Sequence, residues 1–138
     1  HTWEKFNTYW LFNVYTIFTM LKIIDFENEK VIGMSIDGKI ETGDIELVAT
    51  LCEEKFKKNE KLSIYVEMES FNGISLEAFF KDLKFGIKNF GKFDKKAVVT
   101  DKSWIKKLGN FSDKLFGSIE IKSFSFEEKN EAQKWVSE

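Results

Sequence analysis

Residues 95–104 read KKAVVTDKSW, and the reading of this stretch decides the fold. Ala97, Val98 and Val99 form a short apolar run that stops at Thr100-Asp101, and Trp104 follows three residues later. A short apolar run closed by turn-forming residues predicts a buried strand. Asp101 then stands where it can cap a short helix carrying Trp104, Ile105 and Leu108, because an aspartate there accepts hydrogen bonds from free backbone N–H groups and meets the helix dipole. The same aspartate, at the end of a buried strand, is also where a catalytic carboxylate would be delivered.

Working outward, the chain before this strand alternates. Residues 20–26 (MLKIIDF) and 30–38 (KVIGMSIDG) predict two strands joined by a turn in FENEK. Residues 41–59 predict a helix, with Ile45, Val48, Cys52 and Phe56 at helical spacing and lysines in the last turn. KLSIYVEM, residues 61–68, predicts a strand, and ESFNG after it a loop. Ser75 can cap the next helix, whose apolar stripe is Leu76, Phe79, Phe80, Leu83, Ile87 and Phe90. Beyond Trp104, residues 111–116 predict a short helical piece or an ordered loop, and SIEIKSF, residues 118–124, the last strand. Ser125 and Glu128 make a capping-box pattern for a final helix burying Ala132, Trp135 and Val136. The order β-β-α-β-α-β-α-β-α implies one α/β domain: a mixed sheet with an initial hairpin, then parallel crossovers, flanked by helices. Such sheets bind ligands beyond the carboxyl ends of their parallel strands. Those ends are expected at Met68-Glu69-Ser70, Thr100-Asp101 and Ser123-Phe124.

Inventory narrows the chemistry. The 138 residues suit one domain with a single core. Apolar residues at 43% and charged residues at 32% suit a folded, soluble chain. All 21 basic residues are lysines, and the net charge is −2, so the arginine fork that grips phosphates is missing and nucleic acid is not an expected partner. Cys52 is the only cysteine, which rules out an internal disulfide and suits a reducing, cytoplasmic setting. The only histidine is His1, so a histidine-based triad and a Cys/His zinc site within one chain are excluded, and no metal or cofactor is expected.

Residues 1–19 differ from the rest: Trp3, Phe6, Tyr9, Trp10, Phe12, Tyr15 and Phe18 crowd into them. They lack the basic start and cleavage pattern of a signal peptide. The least polar part, Tyr9 to Ile24, is interrupted by Asn13, Thr16, Thr19 and Lys22 and falls short of the roughly 20 apolar residues of a spanning helix. Met20 is a natural start, so residues 1–19 read as sequence added by cloning or upstream translation, with the domain at 20–138. The other reading is an aromatic arm that docks on its own domain, on a second chain as a homodimer, or peripherally on a membrane.

FFKDLKFGIKNFGKFDKKAVVTDKSW (residues 79–104) and IEIKSFSFEEKNEAQKWV (residues 119–136) together resemble the SpoIIAA-like family of small bacterial proteins, in the STAS-like superfamily. The matching positions are Asp82, Phe85-Gly86, Phe93, Ala97-Val98-Val99, Asp101, Trp104, Phe124, Ala132 and Trp135-Val136, and the resemblance spans about residues 20–137. It implies a fold related to the lipid-binding lobe of CRAL-TRIO proteins. It carries over no settled activity and no catalytic residues. The superfamily's phosphoswitch uses an Asp-Ser-Ser-Gly turn at the start of the helix after the third strand. Here that core is replaced by Asn72-Gly73-Ile74-Ser75; Ser75, as a helix N-cap where a phosphate meets the helix N-terminus favourably, is the position such a switch would use rather than Ser70.

Three functions stay open at this level. The first is a non-catalytic regulatory or protein-interaction module with an unidentified protein partner. The second is a carrier or sensor of an apolar small molecule or lipid, in a cleft drawn from Glu69, Ser70, Phe79, Phe80, Asp101 and Trp104. The third is an enzyme working with the carboxylates of Glu69 and Asp101. The first is preferred, since helix capping explains Asp101 and core packing explains an aromatic stripe at helical spacing.

Overall fold

A computed structural model describes residues 21–73, 81, 92–101 and 120–138. The described strands are β1 (Leu21–Ile24), β2 (Val31–Ile40), β3 (Leu62–Gly73), β4 (Phe93–Val99) and β5 (Glu120–Phe124). The described helices are α1 (Thr42–Phe56) and α2 (Lys129–Ser137), the latter entered through a 3-10 turn at Phe126–Glu128. The strands lie in one sheet in chain order, β1-β2-β3-β4-β5. β1 pairs antiparallel with β2, and every later pair is parallel. This is the mixed sheet that the alternation of strand and helix patterns implies.

Each face of the sheet has its own core. On one face Ile45, Val48 and Cys52 of α1 bury against Met34, Ile36, Ile64, Val66 and Met68. That is the predicted helical stripe, with Phe56 packing edge-on against Phe93 at 5.3 Å. On the other face Ala132 and Val136 of α2 meet Val31, Tyr65, Ala97, Val99 and Phe124. Backbone hydrogen bonds fix both helix starts: Glu41 N–H donates to Asp44 Oδ2 at 2.7 Å, and Ser125 N–H to Glu128 Oε1 at 2.9 Å. The second is half of the predicted capping box, and it holds the Glu128 carboxyl below its usual range. Trp135 is only half-buried, unlike its neighbours in the predicted apolar set.

Two corrections concern strand ends. ESFNG is not a loop: β3 continues through it to Gly73, because Ser70 to Gly73 keep pairing with Asp37 to Ile40 of β2. β2 likewise runs two residues past Gly38, which takes a φ of 105° that only glycine adopts easily. Asn and Gly mark turns by local preference, and non-local pairing overrides that preference here. The end of β3 therefore lies beyond Ser70. β4 begins at Phe93 rather than Lys95 and carries a bulge, since Leu62 pairs with Phe93 and Ile64 with Lys96. The bulge turns Lys96 onto the same face as Phe93. Residues 1–19, Ser75, the Leu76 to Phe90 stripe except Lys81, the helix carrying Trp104, and residues 111–116 lie outside the described residues; Lys81 is helical and exposed. Among the described residues no helix is long and apolar enough to cross a membrane.

Candidate functional site

Two of the expected residues lie near the end of β4, one within β3 and one just past β4. Glu67 of β3 pairs with Val99, the last residue of β4; Glu69 comes two residues later within β3, and Asp101 two residues past the end of β4. A second irregularity sets Glu69 apart. Met68 faces Ile36 and Ser70 faces Asp37, so Glu69 is the extra residue of a bulge. Its side chain is exposed, as is that of Asp101. Ser70 belongs to β3 opposite Asp37. Just before Asp101, the Thr100 N–H donates to the Phe124 carbonyl at 2.9 Å, which ties this end of β4 to β5. The Thr100 side chain is buried, and among the described residues its hydroxyl has no hydrogen-bond partner. Phe79, Phe80, Trp104 and Ser75 lie outside the described residues.

A buried polar cluster, not foreseen from the sequence, sits beneath α2. The alternation of Leu62, Ile64, Val66 and Met68 with Ser63, Tyr65 and Glu67 reads as a strand with one wet face. Every one of these side chains is buried, because α2 covers the second face. Tyr65 donates its hydroxyl hydrogen to Glu67 Oε2 at 2.8 Å and accepts from Gln133 Nε2 at 3.3 Å. Lys129 Nζ lies 3.2 Å from Glu67 Oε1. The partners come from a helix 62 or more residues away in the chain, so only the final fold pairs them. Each group is used on another, which makes the cluster a clamp between α2 and the sheet. Burial, together with the Glu67 carboxylate, pushes the Tyr65 phenol well above its ordinary range.

That shift has a sign that can be measured. The folded state favours the protonated phenol, so its contribution is complete below the unfolded value near 10 and is lost as pH rises through and beyond it. Tyr65→Phe is expected to cost about 1–3 kcal/mol at pH 7, because Glu67 loses a donor while staying buried. It should also flatten the decline in stability above pH ~10. Urea unfolding of both proteins from pH 7 to pH 11 checks both effects.

The other titratable groups offer less. The Cys52 thiol, buried in α1, is pushed up to about 12 by burial and is no nucleophile at neutral pH. Among the described residues, no three His, Cys, Asp or Glu side chains converge as a metal site. A groove of about 490 Å³ runs between the β1–β2 turn and α2, lined by Ile24, Phe26, Asp25, Glu27, Gln133 and Lys134 among others. Asn28 crosses it, donating from Nδ2 to the Ser137 carbonyl at 2.8 Å. Lys95 and Lys122 both stand over the Trp135 ring, at 5.2 and 5.3 Å from its centre.

Comparison with known proteins agrees with this architecture. The SpoIIAA-like family model matches residues 31–137. The chain is similar in fold to the crystal structure of an uncharacterized protein of the DUF3478 family with a SpoIIAA-like fold, from Shewanella loihica PV-4. The TM-score is 0.60 at 22% identity, covering 84% of this chain and 91% of the other. A search of curated proteins gives no match.

Proposed function

The chain belongs to the SpoIIAA-like family, and from that premise we propose that it is a non-catalytic regulatory or protein-interaction module that meets its partner where β4 ends beside β3. The observation that supports this reading is the exposure of two carboxylates near the end of β4: Glu69, set out from β3 by a bulge, and Asp101, two residues past β4. Carboxyl groups recruited as general acids near neutral pH are desolvated ones. Exposed carboxylates at a sheet end serve recognition instead, steering a partner that carries positive charge. Bulges recur where a sheet re-aims a side chain for function. A phosphoswitch at Ser75 would add negative charge two residues past the end of β3 and six residues after Glu69.

Native mass spectrometry of the protein purified without detergent, combined with carboxylate-directed cross-linking, tests the proposal. The expected result is a polypeptide partner cross-linked through Glu69 or Asp101 and lost in the Glu69→Lys, Asp101→Lys double variant. A retained lipid-like mass with no polypeptide partner would replace this reading with that of an apolar-ligand carrier.

A further inference from the structure

We propose that β5 and α2 carry a second docking surface, one that accepts an acidic, extended polypeptide segment. It lies away from Glu69 and Asp101 and stands whether or not that pair binds a partner. Lys95 and Lys122 belong to the face of the sheet that α2 covers, since Lys122 pairs with Ala97 of that core. Both ammonium groups are drawn to the same half-buried ring, Trp135, which is itself seated on Phe124 at 6.0 Å. Lys95 also donates to the Trp135 carbonyl at 3.2 Å. Among the described residues no carboxylate forms an ion pair with either lysine. An aromatic ring orients an ammonium group without neutralising it, so two oriented positive charges remain available to an anion.

The adjoining strand says what kind of anion. Among the described residues β5 is an edge of the sheet, and Lys122 and Ser123 on it are exposed. An edge strand offers unpaired backbone groups that an extended segment can join. Glu120 stands in register with Lys95, at the margin of the lysine pair. A continuous polyanion, whether a nucleic-acid backbone or an anionic bilayer, would be repelled there. A peptide can place an acidic residue over Lys122 and a neutral one over Glu120, whose row Lys95 shares. Charge complementarity therefore favours an acidic peptide strand over the other polyanions.

The test uses the full chain and a fluorescein-labelled ten-residue peptide repeating Glu-Val-Thr-Val, so that a glutamate over Lys122 leaves a threonine over Glu120, followed by anisotropy. Saturable binding is expected, weakened about tenfold by Lys122→Glu and several-fold by Lys122→Gln, and unchanged by Lys22→Glu on the opposite edge strand. Circular dichroism confirms that each variant is folded, and the glutamine variant keeps the test valid should the glutamate variant not fold. Alternate N-methylation of the peptide backbone should abolish binding. Absent binding, binding indifferent to Lys122, or equal binding of the N-methylated peptide would overturn the proposal. So would Lys122-dependent binding of phosphatidylserine vesicles or of a single-stranded oligonucleotide in place of the peptide. Self-association of the protein that Lys122→Glu abolishes, measured by sedimentation, would overturn it in favour of a second copy of the chain.

Discussion

Gly33→Val is expected to destabilise the protein by about 3 kcal/mol or more, and Gly33→Ala by about 1–3 kcal/mol. Gly33 lies in β2, in register with Ile24 on one side and Tyr65 on the other. A Cβ at this position would stand 2.5 Å from Phe26 Cε1 and 2.7 Å from the Ile24 carbonyl oxygen. The first clash displaces a ring that packs edge-on against Tyr65 at 5.1 Å. The second is with backbone held in the β1–β2 ladder, which cannot yield without breaking that pairing. Glycine here serves a close approach. It vacates the place that Phe26 fills, and Phe26 shields the buried tyrosine from water. Thermal and urea unfolding measure the loss. Phe26→Ala in the Gly33→Ala background should recover part of it, as a double-mutant cycle would show. A Gly33→Ala protein as stable as the parent would refute the close-approach account.

Lys96→Met is expected to act in the opposite direction, raising stability at pH 7 by about 1 kcal/mol or more. Lys96 is only 1% exposed, in the middle of a parallel sheet, with Ile64 and Ile121 as its register mates. Burial holds its amine well below the ordinary lysine range. The unfolded chain therefore binds a proton that the folded chain resists, and stability rises with pH up to the unfolded value near 10.4. Methionine has a similar length and no proton to lose, so the variant should be more stable at pH 7 and lack that slope. Denaturant melts at pH 6, 7.5 and 9 decide the matter. A Lys96→Met protein less stable than the parent at every pH would show that the amine is a net asset where it lies.

The hairpin, the α1 stripe and the Ala97 to Val99 strand were legible because their signals are local: alternation, helical spacing and an abrupt polar stop. The run of β3 through Asn72-Gly73 was not, because its cause is pairing with Asp37 to Ile40, over thirty residues away. The same holds for Tyr65 and Glu67. Their alternation with apolar residues is what a wet face looks like, and only the docking of Lys129 and Gln133 reverses that reading. Of the candidate site, the strand-end position of Asp101 was legible. The bulge that singles out Glu69 was not, since a bulge is a mismatch between two strands and no single strand displays it. Lys96 gave no warning either. In KKAVV it reads as an ordinary polar strand start, and the bulge that turns it inward lies in its register with β3.

The sheet's order has a consequence for how the protein is made. Because the strands are laid down in the sequence in which they occur, each new one needs only its immediate predecessor as a template. A chain emerging from the ribosome can thus extend its sheet from β1 onward without waiting for a distant partner. The face bearing Tyr65, Glu67 and Ala97 is the exception. Among the described residues only α2 covers it, through Ala132 and Val136, so a ribosome stalled before α2 would hold a nascent chain whose Tyr65 and Ala97 still lack that cover. That interval is when a chaperone has most reason to bind.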